Sequence, residues 1–399
     1  MKRQLHIGVL TGRTPYPNGM AAAQRIHLMG RAMAEAGASV NVWVDGMDGW
    51  ADSRNHDVIG AKDGIPFEYL LGKTQAGERK WMRVWDRLSL ALVARQRMIE
   101  AIRIKSLDGL YFYTSILKPD FERIFVRNSA KIGNIPVVLD LCEAPWSLNH
   151  QQSLVEKLVS PLWGVDGAIC ISRFLEDWVQ QENIRVSRHV RNLYVPILTD
   201  TNEIVSAHLP PLGMTVLFAG SPDYNETFIF LLAAMEIVWE KYTDCKLVIT
   251  GGATESTLGL AVQGKGEKIR YAGFVERSEL LREYSDAVVL AIPLFDDVRS
   301  NARFPTKLGE YLASGRPVVT NCVGEIPHFL KDGVNACVII PGDVQAFGEA
   351  ICLLLSNPEK AKEIGMNGRK VAENHFHYAN YGAKLCDFFN SLLSDTECS

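Results

Sequence analysis

Arg303, Thr306, Lys307 and Glu310 fall within eight residues of one another, and the two cations among them suit the binding of an anion. Pro305 fits the first position of a helix, where its missing N–H leaves nothing unsatisfied. Gly315 fits the position just past the end of that helix. Leu308, Tyr311 and Leu312 recur at i, i+3 and i+4 and make one apolar face. On the same helix Thr306, Lys307 and Glu310 lie together, away from Leu308 and Leu312. Lys307 then sits in the first turn, where the helix dipole disfavours a cation. A lysine there is well explained by an anion at the same helix end, because uncapped N–H groups and the dipole both favour phosphate. The plainer alternative is a surface lysine beside a surface glutamate three residues on.

Such a helix needs strands on either side to place it. Residues 317–320 read as a short buried strand after it, and residues 287–294 as a strongly apolar strand before it. Between the earlier strand and the helix runs the loop FDDVRSNAR, with Asp296 and Asp297 adjacent. Two neighbouring carboxylates without further ligands do not make a metal site. Upstream, residues 215–219 read as a strand and 228–242 as a helix. Residues 246–250 read as a strand ending at Gly251-Gly252, 269–272 as a strand followed by Gly273-Phe274, and 279–284 as a helix. Helices at 344–355 and 358–373 and an amphipathic tail at 378–393 complete this half.

The other half opens in the same way. Residues 5–10 form a strand, 11–20 a loop rich in Gly and Pro, 21–36 a helix closed by Gly37, and 39–44 a second strand. This β–loop–α–β opening begins a doubly wound fold. It lacks GxGxxG, and its loop is too long for a dinucleotide turn. Gly19 in that loop is either a plain turn glycine or a point of close backbone approach to a ligand. Arg25, one turn into the helix, reads as solvated. Strands at 108–113 and 136–141 lead into loops at their carboxyl ends, where doubly wound folds bind ligands. Glu143 in the second loop is a candidate for an acceptor or for sugar hydroxyls. Ser172 reads as the cap of the next helix. Residues 192–213, with Pro196, Pro210 and Pro211, read as a linker between the halves.

The chain has 399 residues, 47% hydrophobic and 22% charged, enough for two ordinary globular domains. A net charge of −4 gives no argument for nucleic acid. The 8 cysteines include no CxxC, which speaks against a zinc site or a disulfide framework and suits a reducing compartment. No apolar run approaches the ~18 residues that cross a bilayer, and the amino-terminal residues read as a strand, not a signal peptide. A cytoplasmic protein is therefore expected. Basic charge is concentrated in residues 73–105, where nine Lys and Arg face three acids. Trp81, Trp85, Leu88 and Leu92 recur there at helical spacing. Such a helix can lie on an anionic membrane surface. The favoured reading is a tryptophan stripe in the core with the arginines on a solvated face, since the stripe widens into Leu90 and Ala91.

FPTKLGEYLASGRPVV, followed by GEIPHFLKDGVNACVIIPGD, resembles the donor-binding region of family-4 retaining glycosyltransferases with the GT-B fold. The resemblance implies an α/β protein of two Rossmann-like domains facing across a cleft. Their expected bounds are residues 1–195 on the acceptor side, a linker at 196–213, residues 214–376 on the nucleotide-sugar side, and a final helix at 377–399 returning to the first domain. It implies a glycosyltransferase, hexosyltransferase-like and retaining. The sugar would pass from a UDP- or GDP-linked donor, with no cofactor and no metal, to a glycan, lipid-linked or small-molecule acceptor. Lys307 and Arg303, with the helix opened by Pro305 and Thr306, would face the donor diphosphate. Glu310 would hold the ribose hydroxyls and Glu143 would serve at the reacting end. Gly220, Gly251, Phe274, Gly324 and Gly19 would line the donor. Residues 79–105 would be the place for peripheral contact with the inner membrane face.

The sequence departs from the family pattern at three places. Ala302 stands where the first of two glutamates eight apart is usual. Residues 221–227, SPDYNET, carry neither of the usual phosphate-clamping cations. No histidine follows the strand at 108–113. Loss of one oxyanion-stabilising contact can cost ~10²–10³ in rate. The missing clamp motivates a second reading, a catalytically silent GT-B module that binds a glycan or a partner enzyme; a third is a nucleotide-sugar epimerase of the same fold. The epimerase needs acid and base groups that the sequence does not display.

Overall fold

The computed structural model describes residues 4–12, 14–45, 55–77, 79–104, 106–114, 127–128, 130–131, 133–143, 162–187, 189–204, 213–220, 225–252 and 266–398. The chain divides into two α/β units. The first comprises residues 1–198, 302–304 and 378–399, and the second 199–301 and 305–377.

The first unit holds eight strands: β1 (His6–Leu10), β2 (Ser39–Val44), β3 (Ile59–Lys62), β4 (Ile65–Tyr69), β5 (Gly109–Thr114), β6 (Val137–Leu141), β7 (Gly167–Cys170) and β8 (Arg191–Tyr194). They form one sheet in the order β3-β4-β2-β1-β5-β6-β7-β8, parallel throughout except for the β3–β4 hairpin. β6 and β7 are buried along their whole length, so they appear in sequence as apolar runs, broken in β6 only by the paired Asp140. The helix Gly382–Cys398 belongs to this unit. Its Phe389 ring lies where a Cβ on Gly109 would go, and Phe388 does the same at Gly167.

Two expectations fail in this unit. Arg25 is not solvated. It is 3% exposed, and its guanidinium makes a bidentate pair with Asp140, at 2.7 and 2.8 Å. Nη1 also donates to the carbonyl of Pro196 at 2.7 Å, so the charge is engaged away from water between its helix and the end of β6. The tryptophan stripe is not core. Trp81, Trp85, Leu88 and Leu92 are 52–64% exposed on the helix Lys80–Arg103. That helix buries a different face, through Leu90, Ala91, Ala94, Met98 and Ala101. Two apolar faces on one helix give a pattern that sequence alone merges into a single wide stripe.

The second unit holds β9 (Thr215–Ala219), β10 (Lys246–Thr250), β11 (Ile269–Gly273), β12 (Val289–Ile292), β13 (Val318–Asn321) and β14 (Cys337–Ile339). The order is β11-β10-β9-β12-β13-β14, and among the described residues all neighbours run parallel. The chain runs outward from β9 in one direction and then from β12 in the other. The switch point, where such sheets bind ligands beyond their carboxyl ends, lies between β9 and β12. The core gathers Leu231, Val238, Leu247, Ile249, Val289, Phe347 and Ile351 between sheet and helices.

Candidate active site

The helix Thr306–Ala313 lies on the crossover from β12 to β13, so its amino terminus faces the carboxyl edge of the sheet. Its apolar side is settled as the spacing predicts, with Leu308, Tyr311 and Leu312 fully buried. Tyr311 also fixes the helix to the strand beside the switch point, because the Ala219 N–H donates to its hydroxyl at 2.6 Å. Pro305 is the N-cap, and no side chain caps the helix. Pro305, Thr306 and Lys307 are half-buried.

Glu310 is buried, at 9% exposure, and its partner is not Lys307. Arg277 Nη1 donates to Oε1 at 2.5 Å and the Tyr284 hydroxyl donates to Oε2 at 2.8 Å. Burial alone would push this carboxyl up. The charges of Arg277 and Lys307, with the bonds from Arg277 and Tyr284, outweigh burial and hold it below its ordinary value. An ionised carboxylate has about four acceptor directions, so two remain on Glu310 after Arg277 and Tyr284 are counted. Among the described residues Lys307 makes no hydrogen bond and no ion pair. Burial lowers its pKa, Glu310 opposes that, and the Arg277 charge adds to it. The result is a cation held partly out of water at an uncapped helix start.

Glycines close the neighbouring strand ends. Gly220 N–H donates to Thr250 O at 2.9 Å, Gly251 N–H to Gly273 O at 2.7 Å, and the Tyr271 hydroxyl to Gly251 O at 2.6 Å. Gly251 has φ +119°, and a Cβ there would run into the Gly220 carbonyl. Only glycine lets these two turns pass so closely. Phe274 is 53% exposed, and its ring edge takes the space a side chain on Gly252 would need. Gly324 follows β13 with φ +54°, and its N–H donates to Asn301 Oδ1 at 3.1 Å. Asp296 and Asp297 serve their own loop. Asp296 accepts from Asn301 Nδ2 at 2.9 Å, and Asp297 accepts from the Ser300 N–H at 2.6 Å.

The remaining candidates lie in the first unit. Arg303 Nη2 and Glu143 Oε1 are 2.9 Å apart, so the two charged candidates there answer each other. Gly19 is exposed in the loop after β1, with a Cβ position 2.7 Å from Ala23 Cβ. Ser172 caps its helix by accepting from Leu175 N–H at 3.3 Å, and its hydroxyl donates to Ala302 O at 2.7 Å. Residues 221–224, the segment missing the usual clamp, and the loop after β5 lie outside the described residues. Among the described residues no cluster of His, Cys, Asp and Glu could hold a metal ion, and no helix is long and apolar enough to cross a membrane.

Sequence reading missed Glu203, Arg277 and Tyr284. Arg277 donates from Nε and Nη2 to Glu203, at 3.1 and 2.8 Å, and from Nη1 to Glu310. These three residues lie 26 to 107 positions from Glu310, and no local spacing links them to it.

The second unit is thus a six-stranded Rossmann-like domain with an uncapped helix start and a clamped carboxylate near its strand ends. Residues 213–357 match the family model for glycosyl transferases group 1, and the chain has the α/β fold of GT-B glycosyltransferases. It is 28% identical over 236 residues to the GDP-mannose-dependent alpha-(1-6)-phosphatidylinositol monomannoside mannosyltransferase of Mycolicibacterium smegmatis, covering 51% of this chain and 61% of that one. It is 27% identical over 181 residues to an uncharacterized glycosyltransferase of Methanocaldococcus jannaschii, covering 45% of each. The matches thus span about half the length of these curated relatives. Among solved structures, the fold is similar to sucrose-phosphate synthase from Thermosynechococcus elongatus. The TM-score is 0.71 at 17% identity, over 98% of this chain and 100% of that one. Anabaena HepE in complex with UDP gives a TM-score of 0.64 at 14% identity, over 97% and 100% of the two chains.

Proposed function

We propose that this protein is a retaining glycosyltransferase that moves a hexose from a UDP- or GDP-linked donor to a glycan, lipid-linked or small-molecule acceptor. One observation carries the reading: Lys307, half-buried and without an ion-pair partner among the described residues, stands at an uncapped helix start beside a carboxylate that keeps two free acceptor directions. A nucleoside diphosphate offers what this arrangement lacks. Its phosphates would answer Lys307 and the helix N–H groups, and its ribose hydroxyls would donate to Glu310. Charge builds on the leaving diphosphate as the glycosidic bond breaks, and preorganised cations and N–H groups stabilise it there. The exposed Phe274 ring offers a face to the base. Gly220, Gly251 and Gly324 allow the backbone to approach the donor. Glu143, steadied by Arg303, would meet sugar or acceptor hydroxyls.

The M. smegmatis relative is named for GDP-mannose and the Anabaena structure holds UDP, so both bases stay within the proposal. The exposed Trp81, Trp85, Leu88 and Leu92, set in a strongly basic segment, support peripheral contact with an anionic membrane face. The reading is tested by calorimetric titration with UDP, GDP and their common sugar conjugates, beside a Glu310→Ala variant. Micromolar binding of one nucleotide, lost in the variant, supports it. Absence of binding to all of them by the folded protein refutes it.

A further inference from the structure

Arg277 reaches two carboxylates at once. Its Nε and Nη2 pair with both oxygens of Glu203, which fixes the guanidinium plane, and the remaining Nη1 is thereby aimed at Glu310. Tyr284 completes the frame from the next turns of the same helix, Arg277–Asp286. Its ring packs edge-on against Tyr311, with centroids 5.1 Å apart, and its hydroxyl reaches the other Glu310 oxygen. Tyr311 is itself bound by the Ala219 N–H. Glu310 is therefore held from two sides by groups whose own positions are set elsewhere.

A carboxylate gripped in this way has its two unused acceptor directions fixed in space. We infer that Arg277 and Tyr284 are positioning residues that aim Glu310 at a pair of vicinal hydroxyls, and so make this site select ribonucleotides over deoxyribonucleotides. The inference rests on the proposed role of Glu310 toward ribose. Arg277 acts through Glu310 and touches no reacting atom. A lysine cannot replace it, because a single ammonium lacks the planar fork that spans Glu203 and Glu310 together. A neutral side chain would leave Glu310 anchored by Tyr284 alone, free to turn about that bond.

The test compares dissociation constants for UDP and 2′-deoxy-UDP, and for GDP and 2′-deoxy-GDP, in four proteins. These are the wild type, Arg277→Met, Tyr284→Phe and Glu310→Gln, each checked for an intact melting transition. One hydrogen bond to a charged acceptor is worth about ten- to a hundredfold in affinity, so the wild type should prefer the ribonucleotide by at least that lower figure. Arg277→Met should bring the preference to within about threefold of unity, and Tyr284→Phe, which keeps the ring packing, should reduce it part of the way. If Arg277→Met fails to fold, Tyr284→Phe decides. An unchanged preference in Arg277→Met and Tyr284→Phe, beside a lost preference in Glu310→Gln, overturns the positioning role and leaves the ribose reading intact. An unchanged preference in Glu310→Gln, or no nucleotide binding by the wild type, overturns both.

Discussion

Replacing Lys307 by methionine should make the free protein more stable and the nucleotide complex weaker. In the free protein the lysine sits in the first turn of its helix, where a cation costs about 0.3–1 kcal/mol against the dipole. It is also partly withdrawn from water without an ion-pair partner among the described residues. Methionine has nearly the same helix propensity and length. Its thioether suits a half-buried site, so the gain should be about 1 kcal/mol, or roughly 2–4 °C in the melting transition of a unit this size. In the complex the balance reverses. Two unit charges 4 Å apart near a protein surface attract by about 4 kcal/mol, and the cost of desolvating both removes part of that. A residual loss of about 2–3 kcal/mol means nucleotide affinity falls by roughly thirty- to a hundred-and-fiftyfold. Thermal melts and calorimetry on the same samples measure both signs. A further readout follows from the lowered pKa of Lys307. A bound diphosphate raises that pKa again, so the wild type should take up protons on binding at alkaline pH and the variant should not. A variant that melts lower than the wild type and binds nucleotide equally well would refute the assignment of Lys307 to an anion.

Two other outcomes follow. His27 is buried between the Tyr16 hydroxyl and Asp63, and burial lowers its pKa from 6.5 to about 4 despite the opposing bond to Asp63. The unfolded chain then binds more protons between those values, so stability should fall as pH drops from 6.5 to 4, by up to roughly 3 kcal/mol. Urea unfolding at pH 7 and pH 4.5 should show His27→Gln losing much less over that interval, and equal losses would exclude His27 as the cause. At the exposed stripe, changing Trp81 and Trp85 together to serine should lower binding to anionic lipid vesicles about tenfold or more. The melting temperature should hardly change, because both side chains are mostly exposed. Failure of the wild type to bind such vesicles in sedimentation would remove the membrane proposal.

Much of the fold was legible because its strands are buried on both faces and appear as unbroken apolar runs. Residues 215–219 and 246–250 are read at their observed bounds for that reason, and residues 39–44 from the alternation of a half-buried strand. The β3–β4 hairpin was missed although its signal is present. Asp63-Gly64 both take positive φ, 48° and 79°, as a tight two-residue turn requires. Its strands are short, and β3 carries an exposed isoleucine, so the alternating pattern is weak there. The tryptophan stripe was legible as a helix face but not as an uncovered one. Spacing shows that residues share a side, and only packing shows what lies against it. The helix with Lys307 and Glu310 was read from local rules of capping and spacing. The residues that hold Glu310 are not legible that way, because they come from another helix and from a segment far away in the chain, 26 to 107 positions off.

Three cations withdrawn from water to different degrees, Arg25, Arg277 and Lys307, differ in how they are compensated, and the difference points to where a ligand belongs. Arg25 is closed off by the two oxygens of Asp140 and by the carbonyls of Pro196 and Val195. Arg277 is closed off by Glu203 and Glu310. Arginine in such a setting is satisfied by the fold, and removing either partner would leave an uncompensated charge. Lys307 shares the burial without the compensation: a cation in the first turn of a helix, with a lowered pKa and no ion-pair partner among the described residues. A packed apolar residue would serve the fold better at that position. Its charge becomes favourable only when an anion arrives, and the uncapped helix start beside it supplies further N–H groups for the same anion. The part of the site that looks least stable in the free protein is therefore the part from which the donor's leaving group should draw most of its stabilisation.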